Sequence, residues 1–182
     1  AICQLLLEKY PDVHVLLGSR DVGRGTQAVS DITKAVGADQ CKGRLDLVPL
    51  DISSDESVQK AAASVDGTLY GIINNGGIMN HSNFAESVNV NYMGPRRVND
   101  AFLGKLQRPG GRIVNIASAS GPMYVSSCRD SKLATKLSEP WKIEGGVEEL
   151  DGIAQKGGSG DAYGFSKACL SAYTWILANK EP

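Results

Sequence analysis

Apolar positions along this chain switch between a helical and a strand-like period, and those switches set out its elements. "AICQLLLEKY" places apolar residues at helical spacing, so a helix is expected over 1–9. "VHVLL" at 13–17 reads as a strand, and Asp21 offers an N-cap for a helix reaching about Val36. "RLDLVPL" at 44–50 is a second strand, and "DISSDESV" opens a helix that runs to about Val65. "LYGIINN" at 69–75 and "GRIVNIAS" at 111–118 are apolar runs that end in polar residues, the pattern of strands buried on both faces. Between them a helix is expected over about 84–107, interrupted at Gly94-Pro95. Residues 122–160 are mixed, with Pro, Gly and acidic clusters, and a last helix covers about 162–179. Strands alternating with helices predict one α/β domain over 1–182, a doubly wound parallel sheet with helices on both faces.

Composition narrows the function classes. The 182 residues suffice for one domain with a sizeable core, and 42% hydrophobic with 21% charged residues is ordinary for a globular protein. A net charge of −1 gives no footprint for nucleic acid or an anionic membrane. No apolar run approaches the length of a membrane helix. Cys3, Cys41, Cys128 and Cys169 are scattered, which reads as reduced thiols in a cytoplasmic or organelle-stromal setting. No His, Cys and carboxylate cluster has metal-ligand spacing, so no metal is expected. His14 and His81 are read as structural.

Candidate chemistry gathers at the strand ends, where open α/β sheets bind ligands. Ser19-Arg20 follow the first strand, Asp51 the second, Asn74-Asn75 the third and Ser118 the fourth. Tyr163 and Lys167 in "YGFSK" lie four apart, on one face of the last helix. A cation beside a phenol favours the phenolate. With a hydroxyl nearby, such a pair can protonate a carbonyl as hydride arrives, or reverse that step.

These segments together resemble the short-chain dehydrogenase/reductase family, and within it most the carbonyl reductases. "NNGG" at 74–77, "NYMG" at 91–94, "NIASASG" at 115–121, "YGFSK" at 163–167 and "LDIS" at 50–53 fall in the family's order across nearly the whole chain. "LLGSRDVGRGTQAV" is similar to the carbonyl-reductase segment after the second strand. The resemblance implies a Rossmann-like fold and NADPH-dependent reduction of aldehydes or ketones. It makes Tyr163 the general acid and Lys167 the residue that favours the phenolate and holds the ribose hydroxyls. Ser118 would stabilise the carbonyl oxygen, and Asn91 would anchor a water that relays protons to Lys167. Asp51 with Ile52 would meet the adenine, and Asn75 with Gly76 would line the cofactor.

The end of the family's second strand, which is the first strand of this chain, distinguishes the cofactors. An enzyme specific for NAD places an acid there, whereas Ser19, Arg20 and Arg24 suit a 2′-phosphate. NADP(H) is therefore expected over NAD(H), with Asp21 serving as helix cap. The family's first strand and glycine-rich turn would precede Ala1, so the chain reads as a partial domain. The Ser118-to-Tyr163 interval is long, so 122–160 reads as an insert. In carbonyl reductases a comparable insert covers the helices that other members use to tetramerise, which implies a monomer. The alternative is a non-catalytic relative serving as an accessory chain in a larger complex.

Overall fold

The computed structural model describes residues 1–180, which fall into two compact units, Ala1–Asp66 and the part from Gly67 onward. In the first unit, α1 (Ile2–Lys9) precedes β1 (Val15–Ser19), α2 (Val22–Val36) and α3 (Ala38–Cys41). Strand β2 (Leu45–Pro49) and α4 (Asp55–Ser64) follow. Strands β1 and β2 pair in parallel, from Val15 opposite Leu45 to Ser19 opposite Pro49. Leu7, Val15 and Cys41 form the buried centre that holds α1 and α3 to the strand pair. Two helix starts follow from their first residues. The Asp21 carboxylate accepts from the Arg24 N–H at 2.8 Å, and the Ser54 hydroxyl accepts from Ser57 N–H at 3.2 Å.

The second unit begins with β3 (Gly71–Asn74), which pairs in parallel with β4 (Arg112–Asn115). Between them lie α5 (Phe84–Val88), a π-helical turn over Asn89–Met93, and α6 (Gly94–Phe102). Past β4 come α7 (Ser120–Ser127), α8 (Ser131–Ser138), α9 (Gly146–Lys156) and α10 (Ala162–Lys180). Four hydrogen bonds among three amides and two hydroxyls tie the strands to each other and to the helices. Asn74 Nδ2 donates to Asn99 Oδ1 and to Asn115 Oδ1, both at 2.8 Å. Asn99 Nδ2 donates to the Tyr173 hydroxyl at 3.2 Å, and Asn115 Nδ2 to Thr174 Oγ1 at 2.9 Å. Asn74 and Asn99 are buried, so each of these bonds satisfies a group that would be costly to leave unpaired.

Two expectations are corrected and one is refined. Strands β3 and β4 are not buried on both faces: Ile72 is covered, but Ile73 and Val114 keep 41% and 44% exposure. Successive strand residues point to opposite faces, and the face that carries Ile73 and Val114 is the more exposed one. The interruption expected at Gly94-Pro95 takes the form of a π-helical turn over Asn89–Met93, which gives way to α6 at Gly94 with Pro95 directly after it. Residues 122–160 are mostly helical. Asp130 caps α8 by accepting from Lys132 and Leu133 N–H, and α9 carries Glu148 and Glu149 in its first turn and Lys156 in its last.

That segment belongs to the core. Leu137, Ile143, Val147, Leu150 and Ala154 pack with Tyr92, Phe165, Cys169 and Tyr173 in one buried cluster. Trp141 meets Trp175 of α10 at a ring separation of 5.7 Å. The cluster makes stability depend on pH at the alkaline end. Burial pushes the Tyr173 phenol up to about 12, and burial, with help from Asp151, raises Tyr92 further. Both folded values exceed the unfolded one of about 10, so their contribution is complete below pH about 10 and is lost as pH rises toward about 12. Lys167, whose ammonium is disfavoured by burial, acts with the opposite sign below the usual lysine value. The urea midpoint should fall between pH about 9.5 and about 11.5, and Tyr173→Phe should flatten that fall.

Candidate active site

Helix α10 presents the Tyr-Lys pair as its spacing requires. The Lys167 ammonium lies 5.9 Å from the centre of the Tyr163 ring. Its side chain is 6% exposed, and burial lowers its pKa below the usual lysine value. Nζ donates to the Ile116 carbonyl oxygen at 2.8 Å. Ile116 N–H in turn donates to Asn74 O, which continues the β3–β4 ladder past the end of β4. The lysine is thus fixed against the carboxyl ends of both strands. An ammonium has three donors, so one bond to Ile116 leaves capacity for ligand hydroxyls.

Asn91 lies in the π-helical turn and is fully buried. Its Oδ1 accepts from Ile78 N–H at 2.8 Å, and its Nδ2 donates to Ile78 O at 2.9 Å and to the Ser166 hydroxyl at 3.0 Å. These bonds join the loop after β3 to α10. Gly77 makes the arrangement possible: a Cβ there would lie 2.9 Å from Asn91 Oδ1 and 3.7 Å from Lys167 Nζ. Asn91 and Lys167 therefore flank one glycine. A π-helical turn widens the helix and commonly marks a functional site.

Ser118 lies just past β4, half-buried, and its Oγ accepts from Ser120 N–H at 3.2 Å. Its turn is held on α10 through Gly121, where a Cβ would come within 3.2 Å of the backbone at Lys167 and Ala168. Asn75 and Gly76 are exposed immediately after β3. The second unit thus gathers Asn75, Gly76, Asn91, Ser118, Tyr163 and Lys167 at the ends of β3 and β4 and the start of α10.

The first unit holds the remaining candidates. Ser19 ends β1, and its hydroxyl donates to Asp21 O at 2.8 Å. Arg20 and Arg24 are exposed, and the ion pair at Asp21 is with Arg24, at 3.9 Å. Asp51 lies past β2 with Ile52. Its Oδ1 accepts from the Ser53 hydroxyl at 2.6 Å and from Ser53 N–H at 2.9 Å. Those bonds, and the charge of Arg20, hold its carboxyl below the usual value. Asp21 serves as the N-cap of α2, so its carboxylate is engaged by that helix.

One residue near the site escaped sequence reasoning. The His81 ring meets the Tyr163 ring edge-on at 5.5 Å, and its Nδ1 pairs with Asp161 Oδ1 at 2.8 Å. A histidine in a polar loop has no periodicity to report its neighbours. Asp161, two residues before Tyr163, was the only local hint.

The fold and this constellation define a class, an α/β protein with a buried lysine and a tyrosine at the carboxyl ends of parallel strands. Comparison with known proteins agrees. The short chain dehydrogenase family matches residues 1–129, and the chain belongs to that family. It is 27% identical to (+)-neomenthol dehydrogenase of Arabidopsis thaliana, across 100% of this chain and 74% of that protein. It is 28% identical to carbonyl reductase [NADPH] 1 of Sus scrofa over 91% of this chain and 62% of that one. The match to human retinol dehydrogenase 5 is 33% over 54% of this chain and 36% of that one. The matched part thus spans 36% of the retinol dehydrogenase and 62% of the carbonyl reductase, less than two thirds of either. Among solved structures, menthone neomenthol reductase from Mentha piperita superposes with a TM-score of 0.85 at 23% identity, covering 100% of this chain and 81% of that one. NADPH-bound carbonyl reductase from chicken fatty liver gives 0.64 at 22% identity, covering 98% and 64%. These likenesses establish the Rossmann-like fold. No helix among the described residues is long and apolar enough to cross a membrane.

Proposed function

We propose that the protein of which this chain forms part reduces aldehyde or ketone carbonyls to alcohols with NADPH. The observation that carries this reading is Lys167, a buried ammonium bonded to Ile116 O beside the Tyr163 ring and sharing Gly77 with Asn91. Burying a cation carries a desolvation cost, and groups perturbed in this way cluster at functional sites.

The roles follow from position. Tyr163 donates its phenolic proton to the carbonyl oxygen as charge develops there, and recovers it through Lys167 and a water held at Asn91. Ser118 donates a hydrogen bond to the same oxygen. Lys167 holds the nicotinamide ribose hydroxyls with the donors not used by Ile116. NADPH, when bound, supplies the hydride. Asn75 and Gly76 line its nicotinamide end, and Asp51 with Ile52 its adenine.

The preference for NADPH rests on Ser19, Arg20 and Arg24 at the end of β1, with Asp21 engaged as a helix cap. Arg20→Ala should raise KM for NADPH by about tenfold, the size of one lost charge-assisted bond, and leave KM for NADH nearly unchanged. Equal effects on both would remove the argument. The relatives named for menthone and neomenthol suggest an apolar cyclic ketone as a first substrate to try. The packing of 122–160 into the core favours a monomer, since that segment covers α5, α10 and the turn between α5 and α6. The decisive experiment is NADPH oxidation by the full-length protein against a panel of aldehydes and cyclic ketones. Absence of turnover across the panel, with cofactor bound, would favour the non-catalytic reading.

A further inference from the structure

The loop between β3 and α5 is tied at both ends to the proposed machinery. On one side Ile78 exchanges two backbone bonds with the Asn91 side chain. On the other, Ala162 N–H, at the first residue of α10, donates to His81 O at 3.1 Å. Between these ties Asn80 folds the loop, its Oδ1 accepting from Ser82 N–H at 3.1 Å and Asn83 N–H at 3.0 Å. His81 is therefore held by its backbone as well as by its ring.

Asp161, its ring partner, is equally fixed. Its carbonyl oxygen accepts from Phe165 N–H at 3.0 Å. Its Oδ2 occupies space left by Gly164, where a Cβ would lie 2.5 Å away. A carboxylate just before a helix also sits at the favourable end of the helix dipole. An ionised carboxylate only accepts, so the bond at 2.8 Å places the proton on His81 Nδ1. That bond sets the plane of the imidazole, and the imidazole edge meets the Tyr163 ring at 5.5 Å with an interplanar angle of 62°. Tyr163 is half-buried, and the His81 edge and the Lys167 ammonium both lie near its ring.

We propose that His81 and Asp161 form a positioning pair that fixes the ring of Tyr163 for proton transfer. This rests on reading Tyr163 as the proton donor. The pair is not a stability device: the two side chains are 60% and 38% exposed, and exposed ion pairs contribute little. Proton transfer, by contrast, is sensitive to small displacements of the donor.

The test uses the full-length protein with isotope-labelled tyrosine rings, the Tyr163 signal being assigned by its loss in Tyr163→Phe. His81→Ala should shift the Tyr163 resonance and lower kcat by about 10-fold, with KM changed less than about 2-fold and the urea midpoint unmoved. Asp161→Ala should do the same to the resonance and kcat, with a small fall in the urea midpoint from the charge lost at the start of α10, and the double variant should change the resonance and kcat no more than either. His81→Phe, which keeps a ring edge and loses the bond to Asp161, should fall between wild type and His81→Ala in both readouts. An unmoved resonance overturns the proposal whatever happens to turnover. A loss confined to KM also overturns it, since that marks substrate contact rather than donor positioning. If no carbonyl tested is reduced, the functional reading fails on its own, and the resonance still decides whether the pair positions the ring.

Discussion

Tyr163→Phe should remove nearly all turnover while leaving NADPH binding intact. The substitution deletes one oxygen and keeps the ring, so the edge contact with His81 and the Lys167 ammonium 5.9 Å from the ring centre are retained. Lys167 keeps its bond to Ile116 O, and the Asn91 bonds to Ile78 and Ser166 do not involve the phenol. What disappears is the proton that the developing alkoxide needs. Loss of a positioned general acid costs about 100- to 10,000-fold in kcat. Steady-state NADPH oxidation and a fluorescence titration of NADPH would check the two halves separately. Retained turnover would contradict the assignment of Tyr163, and lost binding would show that the phenol also holds the cofactor.

The second large effect is on stability. Asp151 of α9 accepts from the Tyr92 hydroxyl at 2.5 Å and from Arg96 Nε at 2.9 Å and 3.1 Å. Arg96 also pairs with Asp100. Tyr92 is fully buried, and the Arg96 and Asp151 side chains are 19% and 17% exposed. Asp151→Ala leaves a buried hydroxyl without its acceptor and a largely buried guanidinium with one partner fewer. That should cost about 3 kcal/mol, the lower end for a broken buried pair, because some solvent reaches it. Asp151→Asn keeps an acceptor for Tyr92 and should cost about 1 kcal/mol. Urea unfolding measures both, and a loss below about 0.5 kcal/mol for the alanine variant would show that α9 rests on the core without this clamp. Tyr92 adjoins Asn91 in the π-helical turn, so the clamp also anchors the turn that carries a proposed site residue.

Much of this was legible from local rules. A Tyr and a Lys four apart share a helix face, and the structure brings Lys167 to the Tyr163 ring. Asp21 caps α2 because a short acid before an apolar period satisfies a free N–H. The π-helical turn was not legible. Gly94-Pro95 marked where the irregularity lies but not its π-helical form. The bonds from Asn91 to Ile78 and Ser166 come from loops and helices distant in sequence, so no local pattern encodes the widened turn. The helices of 122–160 were not read, although Asp130 before Leu133 and Leu137 is a cap before an apolar period. Short helices broken by Pro140 and Gly145-Gly146 hid that signal.

The sequence by itself determined the alternation of strands and helices, the cap at Asp21, and which residue types stand at each strand end, because these depend on neighbours within a few positions. Only the tertiary structure decided which strand faces are covered, that the 122–160 segment is core, and that His81 lies against Tyr163. Those facts depend on contacts between residues tens of positions apart, where burial and packing geometry, rather than local propensity, select the arrangement.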